Sequence, residues 1–263
     1  AFQRIEKPGN EDYTLYYSTQ AALAHYAQRY SLANQYADTL ERMLEPRIAH
    51  STYDLEKYAG ILFVKGDNYM ALGKYTEAFA HYFKAKEVLE QGAGSCVVSH
   101  YTYRMGGVMY RQKRYAEAKE LYRQAFYTGD DCPQEDEPHM RKQALLDNIG
   151  LCHYHLGNND SALSYYNQTL QYISNHRDHI KRKYHDVDFS LIAEGVVYGN
   201  MAKVYRRLKF YKRAEELLRK SIAINLRKGH DVHDAKITML ELASMQQEQN
   251  QTQQLEQTLL AIG

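Results

Sequence analysis

Tryptophan is absent from the 263 residues, and helix breakers are scarce, with four prolines (Pro8, Pro46, Pro133 and Pro138) and fifteen glycines. Long uninterrupted helices are therefore permitted. No apolar run approaches the roughly eighteen residues needed to cross a bilayer, so no membrane insertion is expected within this segment. No signal peptide is visible, since Ala1-Phe2-Gln3-Arg4 opens directly into polar sequence. Excess charge is missing too: 33 Lys and Arg face 32 Asp and Glu, a formal net charge of +1. Phosphate backbones are held by concentrated basic faces, so nucleic acid is not expected as a partner. The sequence also lacks a phosphate-cradling glycine loop, a His-Glu-x-x-His pair and a strand-flanked nucleophile elbow. No enzymatic activity and no cofactor are expected.

Twelve histidines invite a metal reading, chiefly at His176, His179 and His185. Lys181-Arg182-Lys183 lies within that cluster and would repel a cation. His153 and His155 stand two apart on a helix and cannot face one site together. The acidic run Asp130-Asp131 with Glu135-Asp136-Glu137 matches no calcium loop and reads as a solvated connection. Of the three cysteines, Cys152 falls two residues after Gly150 inside a helical pattern and reads as a buried, inert thiol. Cys96 and Cys132 flank one helix pair at the same end, so a disulfide between them is geometrically open. Such a bridge would favour an exported or periplasmic location over the cytosol.

What the chain has in abundance is tyrosine, 25 residues of it. A tyrosine ring fills helix–helix interfaces while its hydroxyl reaches water or a partner. Its placement is periodic. A small residue is followed twelve positions later by alanine, and four beyond that usually by an aromatic. Gly66, Ala78 and Tyr82 fit, as do Gly106, Ala118 and Tyr122, and Gly150, Ala162 and Tyr166. Ala202 and Ala214 continue the series with Leu218, and Ala21 and Ala33 begin it with Ala37. Three residues before the second alanine stand Tyr30, Tyr75, Tyr115, Asn159 and Tyr211. The physical reading is a helical hairpin. A small residue midway along one helix lets its neighbour approach, a short turn such as Leu72-Gly73-Lys74-Tyr75 reverses the chain, and the alanine meets the small site. Each hairpin leaves an apolar face open, so hairpins must stack.

These residues resemble the tetratricopeptide repeat family over roughly 14–228, most clearly from Asn200-Met201-Ala202 through Tyr211-Lys212-Arg213-Ala214 to Leu218. The resemblance implies an all-α solenoid of antiparallel helix hairpins, a right-handed superhelix. The expected organisation is a single array from 1 to 263, with pairs at about 11–47, 52–91, 96–128, 138–176 and 186–228 and a capping pair at 231–262. Spacings of 45, 40, 44 and 52 residues between successive alanines exceed the family's usual repeat and predict longer helices and connections, one of them near 175–188.

The resemblance further implies a groove lined by the first helix of each pair, with the side chain two residues before the small position pointing into it. That place holds Arg104, Asn148 and Asn200, with Val64 and Thr19 in the earlier pairs. Asparagine can bond both a peptide N–H and a C=O, which suits gripping of an extended backbone. Tyr103, Tyr110, Asp147, His155, Lys203, Arg206 and Arg207 stand about one turn along. The partner expected is a protein or peptide, and the function that of a non-enzymatic scaffold, with the sensing or partner-recruiting module of a larger bacterial protein as its more specific form. A self-associating array and a peptide-responsive regulatory domain are the alternatives.

Overall fold

The computed structural model describes residues 9–90, 95–128, 136–181, 188–227 and 232–262. All regular structure among them is helical. The chain divides into two compact units, Ala1–Asp131 and Cys132–Gly263.

In the first unit α1 (Asn10–Tyr26) pairs with α2 (Tyr30–Leu44), α3 (Thr52–Ala71) with α4 (Tyr75–Glu90), and α5 (Ser95–Arg111) with α6 (Tyr115–Thr128). Each hairpin stacks on the next through α2 against α3 and α4 against α5. In the second unit α7 (Asp136–His155) pairs with α8 (Asn159–Asn175), α10 (Phe189–Arg207) with α11 (Tyr211–Asn225), and α12 (Val232–Glu248) with α13 (Thr252–Ile262). Stacking there runs through α8 against α10 and α11 against α12. The expected connection near 175–188 is partly helical: α9 (Arg177–Lys181) buries Ile180 in the core of this unit. Asp188 then caps α10, its carboxylate accepting from the backbone N–H groups of Ser190 and Leu191.

One turn recurs at every hairpin. The second residue past the first helix has positive φ: Gln28 at 58°, Gly73 at 70°, Lys113 at 61°, Gly157 at 83°, Lys209 at 63° and Asn250 at 55°. The following N–H reaches back five residues, as from Lys74 to the Tyr69 carbonyl and from Phe210 to the Tyr205 carbonyl. This closes the helix by satisfying carbonyls that would otherwise be orphaned. The last pair, read from sequence as a cap without the repeat's small residues, uses the same turn at Asn250.

In the repeat pattern the aromatic sixteen positions on stands directly against the small residue. A Cβ placed on Gly106 would stand 2.7 Å from the Tyr122 ring, and one on Gly150 2.7 Å from the Tyr166 ring; at Gly66 it would be closer still to Tyr82. All three tyrosines are buried. Each ring occupies the space where a side chain would stand, and burying it is worth about 2–3 kcal/mol. Where the small residue is Ala202, the partner shrinks to Leu218, which is also buried. The alanines themselves (Ala33, Ala78, Ala118, Ala162 and Ala214) have almost no exposed surface. Cys152 is buried as expected. The side chain of Cys96 and the whole of Cys132 lie outside the described residues, and the disulfide with them.

Candidate functional sites in the two units

The first unit contains a groove of about 560 Å³ between α1 and α3, floored by α2. Its origin lies in the first repeat. Ala21 and Ala37 hold the positions that are glycine and tyrosine in the next three hairpins, and both line the groove. With alanine in place of a ring the layer is not filled. The walls are mainly apolar, including Leu15, Leu40, Ile61 and Val64. Val64 is one of the side chains two residues before the small position, and it does line this groove.

The polar residues of the groove are held from behind. His25 Nδ1 lies 2.7 Å from Asn68 Oδ1, and Asn68 Nδ2 donates to Asn34 Oδ1 at 2.7 Å. Because the Asn68 nitrogen already donates to Asn34, its oxygen accepts the Nδ1–H of His25. In the uncharged ring this tautomer places the lone pair on Nε2. Next along α3, Asp67 lines the same groove, and its Oδ1 accepts the Tyr82 hydroxyl while Arg104 Nη1 stands 3.8 Å away. Behind α2 and α3 a charge cluster closes the unit. Lys65 is buried and pairs with Asp38 at 2.7 Å and Glu41 at 2.6 Å, while Lys84 reaches Glu41 at 2.9 Å. Burial opposes ionisation of Glu41, but the two lysines outweigh it and bring its carboxyl down to about 2.

The second unit has a smaller cavity of about 200 Å³, with walls from α10, α11 and α12. Asn200 and Lys203 line it with Asn225, Asp234 and Glu241. Asn200 is buried, and its Nδ2 donates to both carboxylate oxygens of Asp147 on α7, at 3.2 and 3.1 Å. Burial pushes the Asp147 carboxyl up to about 6, and the bond from Asn200 and the charge of Lys203 only partly offset it.

The remaining predicted positions divide by what they touch. Asn148, next to Asp147, is half-buried. Arg206 bridges α10 to α12 through Glu241 at 2.6 Å, Glu248 at 2.5 Å and Ser244 at 2.8 Å. Arg207 lies 3.5 Å over the Tyr154 ring and donates to the Tyr154 carbonyl, joining α10 to α7. His155 is exposed, and what burial it has, together with Arg207 and Lys203, lowers its pKa. Arg104 stacks 5.1 Å over Phe63, Tyr103 sits against the Tyr122 ring at 5.8 Å, and Tyr110 against Tyr115 at 5.4 Å. The structure therefore brings Asp147, Asn200 and Lys203 together, and it ties both arginines of α10 into helix contacts. Sequence reasoning missed the groove residues Ala37, Gly60 and His25, although the Ala21–Ala37 pair was a visible departure from the tyrosine pattern.

Residues 196–228, spanning most of α10 and all of α11, match the family model of the tetratricopeptide repeat. The architecture is that of a tetratricopeptide-type repeat protein. No curated protein matches the sequence. Among solved structures, BtubC (BKLC) from P. vanneervenii is similar, with 16% identity over 94% of this chain and 89% of that one at a TM-score of 0.67. Aspartyl phosphate phosphatase F from Bacillus subtilis is similar at 12% identity over 96% of this chain and 70% of its own, with a TM-score of 0.70. NprR in complex with its cognate peptide NprX shares 13% identity over 95% of this chain and 64% of its own, with a TM-score of 0.61. At such identities the likeness concerns the tetratricopeptide-like fold alone.

Proposed function

We propose that this tetratricopeptide-type chain is a non-enzymatic scaffold that binds a protein segment or peptide, and that the α1–α3 groove is its receptor surface in the first unit. One observation carries the reading: a groove of about 560 Å³ stands where the first repeat replaces the packed tyrosine by Ala37. An apolar trough with a few fixed polar groups is the usual form of a ligand site. NprR, a structural neighbour, is seen with its cognate peptide; this supports the class of ligand and nothing narrower. The cluster of Asp147, Asn148, Asn200 and Lys203 is the corresponding proposal for the second unit.

The test is a selection of phage-displayed dodecapeptides on the immobilised full chain, repeated on two variants. Ala21→Gly with Ala37→Tyr rebuilds in the first hairpin the pair found at Gly66 and Tyr82, which fills the groove with the family's own packing. Asn148→Ala with Asn200→Ala alters the second cluster. Peptides lost on the filled variant and kept on the asparagine variant place recognition in the α1–α3 groove. Peptides kept by both variants would refute both sites.

A further inference from the structure

The groove between α1 and α3 has a chemical polarity that specifies more than a generic peptide. Take first Gly60, midway along α3 and on the groove wall. A Cβ added there would meet nothing within 4 Å. Internal packing does not require this glycine, in contrast to Gly66 on the same helix, and a mid-helix glycine costs roughly 0.5–1 kcal/mol relative to alanine. Its bare backbone leaves the wall open to close approach by a bound chain.

Consider next the far end of α1, where the His25–Asn68 bond ties it to α3, and where Asp67, next to Asn68 in sequence, lines the same groove as His25. With Nδ1–H committed to Asn68, Nε2 is the atom of the His25 ring that offers a lone pair whenever the ring is uncharged. Asp67 has both the Tyr82 hydroxyl and Arg104 on Oδ1, which leaves Oδ2 as an acceptor. Around the groove the charged lining is Glu11, Asp67 and Lys57, and the Lys57 ammonium already sits 4.0 Å over the Tyr53 ring. The lining is thus rich in acceptors and negative on balance, between apolar walls.

We propose that the segment bound in this groove is apolar and carries one lysine or arginine, whose cation is received by Asp67 and His25 while the adjoining backbone passes over Gly60. This rests on the α1–α3 groove being the receptor surface. The apolar portion supplies the burial and the cation the register, because a charged donor placed between two acceptors in a partly desolvated trough discriminates against neutral and acidic side chains.

The experiment uses the full chain and fluorescein-labelled synthetic copies of the dodecapeptides enriched on wild type and lost on Ala21→Gly/Ala37→Tyr. Each peptide is made with its basic residue intact, changed to Gln, and changed to Glu, and anisotropy gives Kd. The expected result is an apolar run with one Lys or Arg, a rise in Kd of about tenfold for Gln, and a larger rise for Glu. Asp67→Asn keeps an acceptor for Tyr82 and should raise Kd for the Lys or Arg peptide by about the same tenfold. It should also abolish the difference between that peptide and its Gln form. Groove-dependent peptides that lack a basic residue, or that bind equally as Lys and Gln forms, would overturn the cation assignment and leave the groove standing. If no selected peptide distinguishes wild type from the filled variant, the receptor surface itself is wrong. Circular dichroism and thermal unfolding of each variant confirm that the helices are retained.

Discussion

Two glycines six residues apart on α3 should respond in opposite directions to one substitution. Gly60→Ala adds a methyl group into open space and removes the helix penalty of glycine, a gain of about 1 kcal/mol. Gly66→Ala makes the same backbone gain but drives its methyl into the Tyr82 ring. That ring cannot withdraw easily. It is fully buried, its hydroxyl is held by Asp67, and Phe63 packs on it with centroids 5.6 Å apart. Overpacking of this kind costs about 3 kcal/mol at the upper end of its usual range, so the net loss is about 2 kcal/mol. The assay is thermal and urea unfolding followed by far-ultraviolet circular dichroism. Gly60→Ala should raise Tm by roughly 3 °C and Gly66→Ala lower it by roughly 6 °C. The fifth hairpin supplies the compensating change, since Ala202 and Leu218 there hold the positions of Gly66 and Tyr82 and share one buried core. Tyr82→Leu should therefore rescue part of the Gly66→Ala defect, with a coupling of at least about 1 kcal/mol in the double-mutant cycle. Equal or same-signed shifts at the two glycines, or strictly additive effects of Gly66→Ala and Tyr82→Leu, would refute the account of how the hairpins nest.

Three further outcomes are expected. In the fold, Asp147 holds its proton up to about 6 rather than its ordinary 3.8, so stability should fall as pH rises from about 4 through 6 and then level off. Asp147→Asn should remove that slope and leave the chain more stable at pH 7 by up to about 3 kcal/mol, read by urea titrations between pH 4.5 and 7.5. Glu41 has the opposite sign: its carboxyl lies at about 2 against 4.5, so its contribution is present above 4.5 and lost as pH falls towards 2. Glu41→Gln should abolish that acid-side loss, and Lys65→Met, which leaves Glu41 paired with Lys84 alone, should destabilise by about 2 kcal/mol in equilibrium unfolding. At the hairpin turns, Lys113→Gly and Lys209→Gly replace L-residues at positive φ and should each raise stability by about 1 kcal/mol in the same assay.

The helical hairpins were legible because two local rules act together along the chain. Small residues at Gly66, Gly106, Gly150 and Ala202 mark where helices touch, and turns such as Leu72-Gly73-Lys74 mark where they reverse. The turns at Lys113 and Lys209 carry no glycine, yet each stands seven residues after the small position, as Gly73 and Gly157 do. The site was only partly legible. Asn200 and Lys203 do line a cavity, and the rule that pointed to Asn200 also pointed to Val64 in the α1–α3 groove. Arg206 and Arg207 share the same helix and the same charge, yet their neighbours Glu241, Glu248 and Tyr154 lie 35 to 53 residues away in sequence. Such partners are invisible to periodicity.

The sequence by itself determined the helices, their hairpins and the tyrosine layers, because backbone bonding and helical periodicity act over a few residues. Tertiary structure alone decided which polar groups were consumed and which space stayed open. It set the Asn34–Asn68–His25 chain that fixes an imidazole tautomer, the burial that raises Asp147, and the trough left by an alanine facing an alanine. Those outcomes depend on volumes and bonds contributed by several helices at once, and packing them together is what assigns each group its partner.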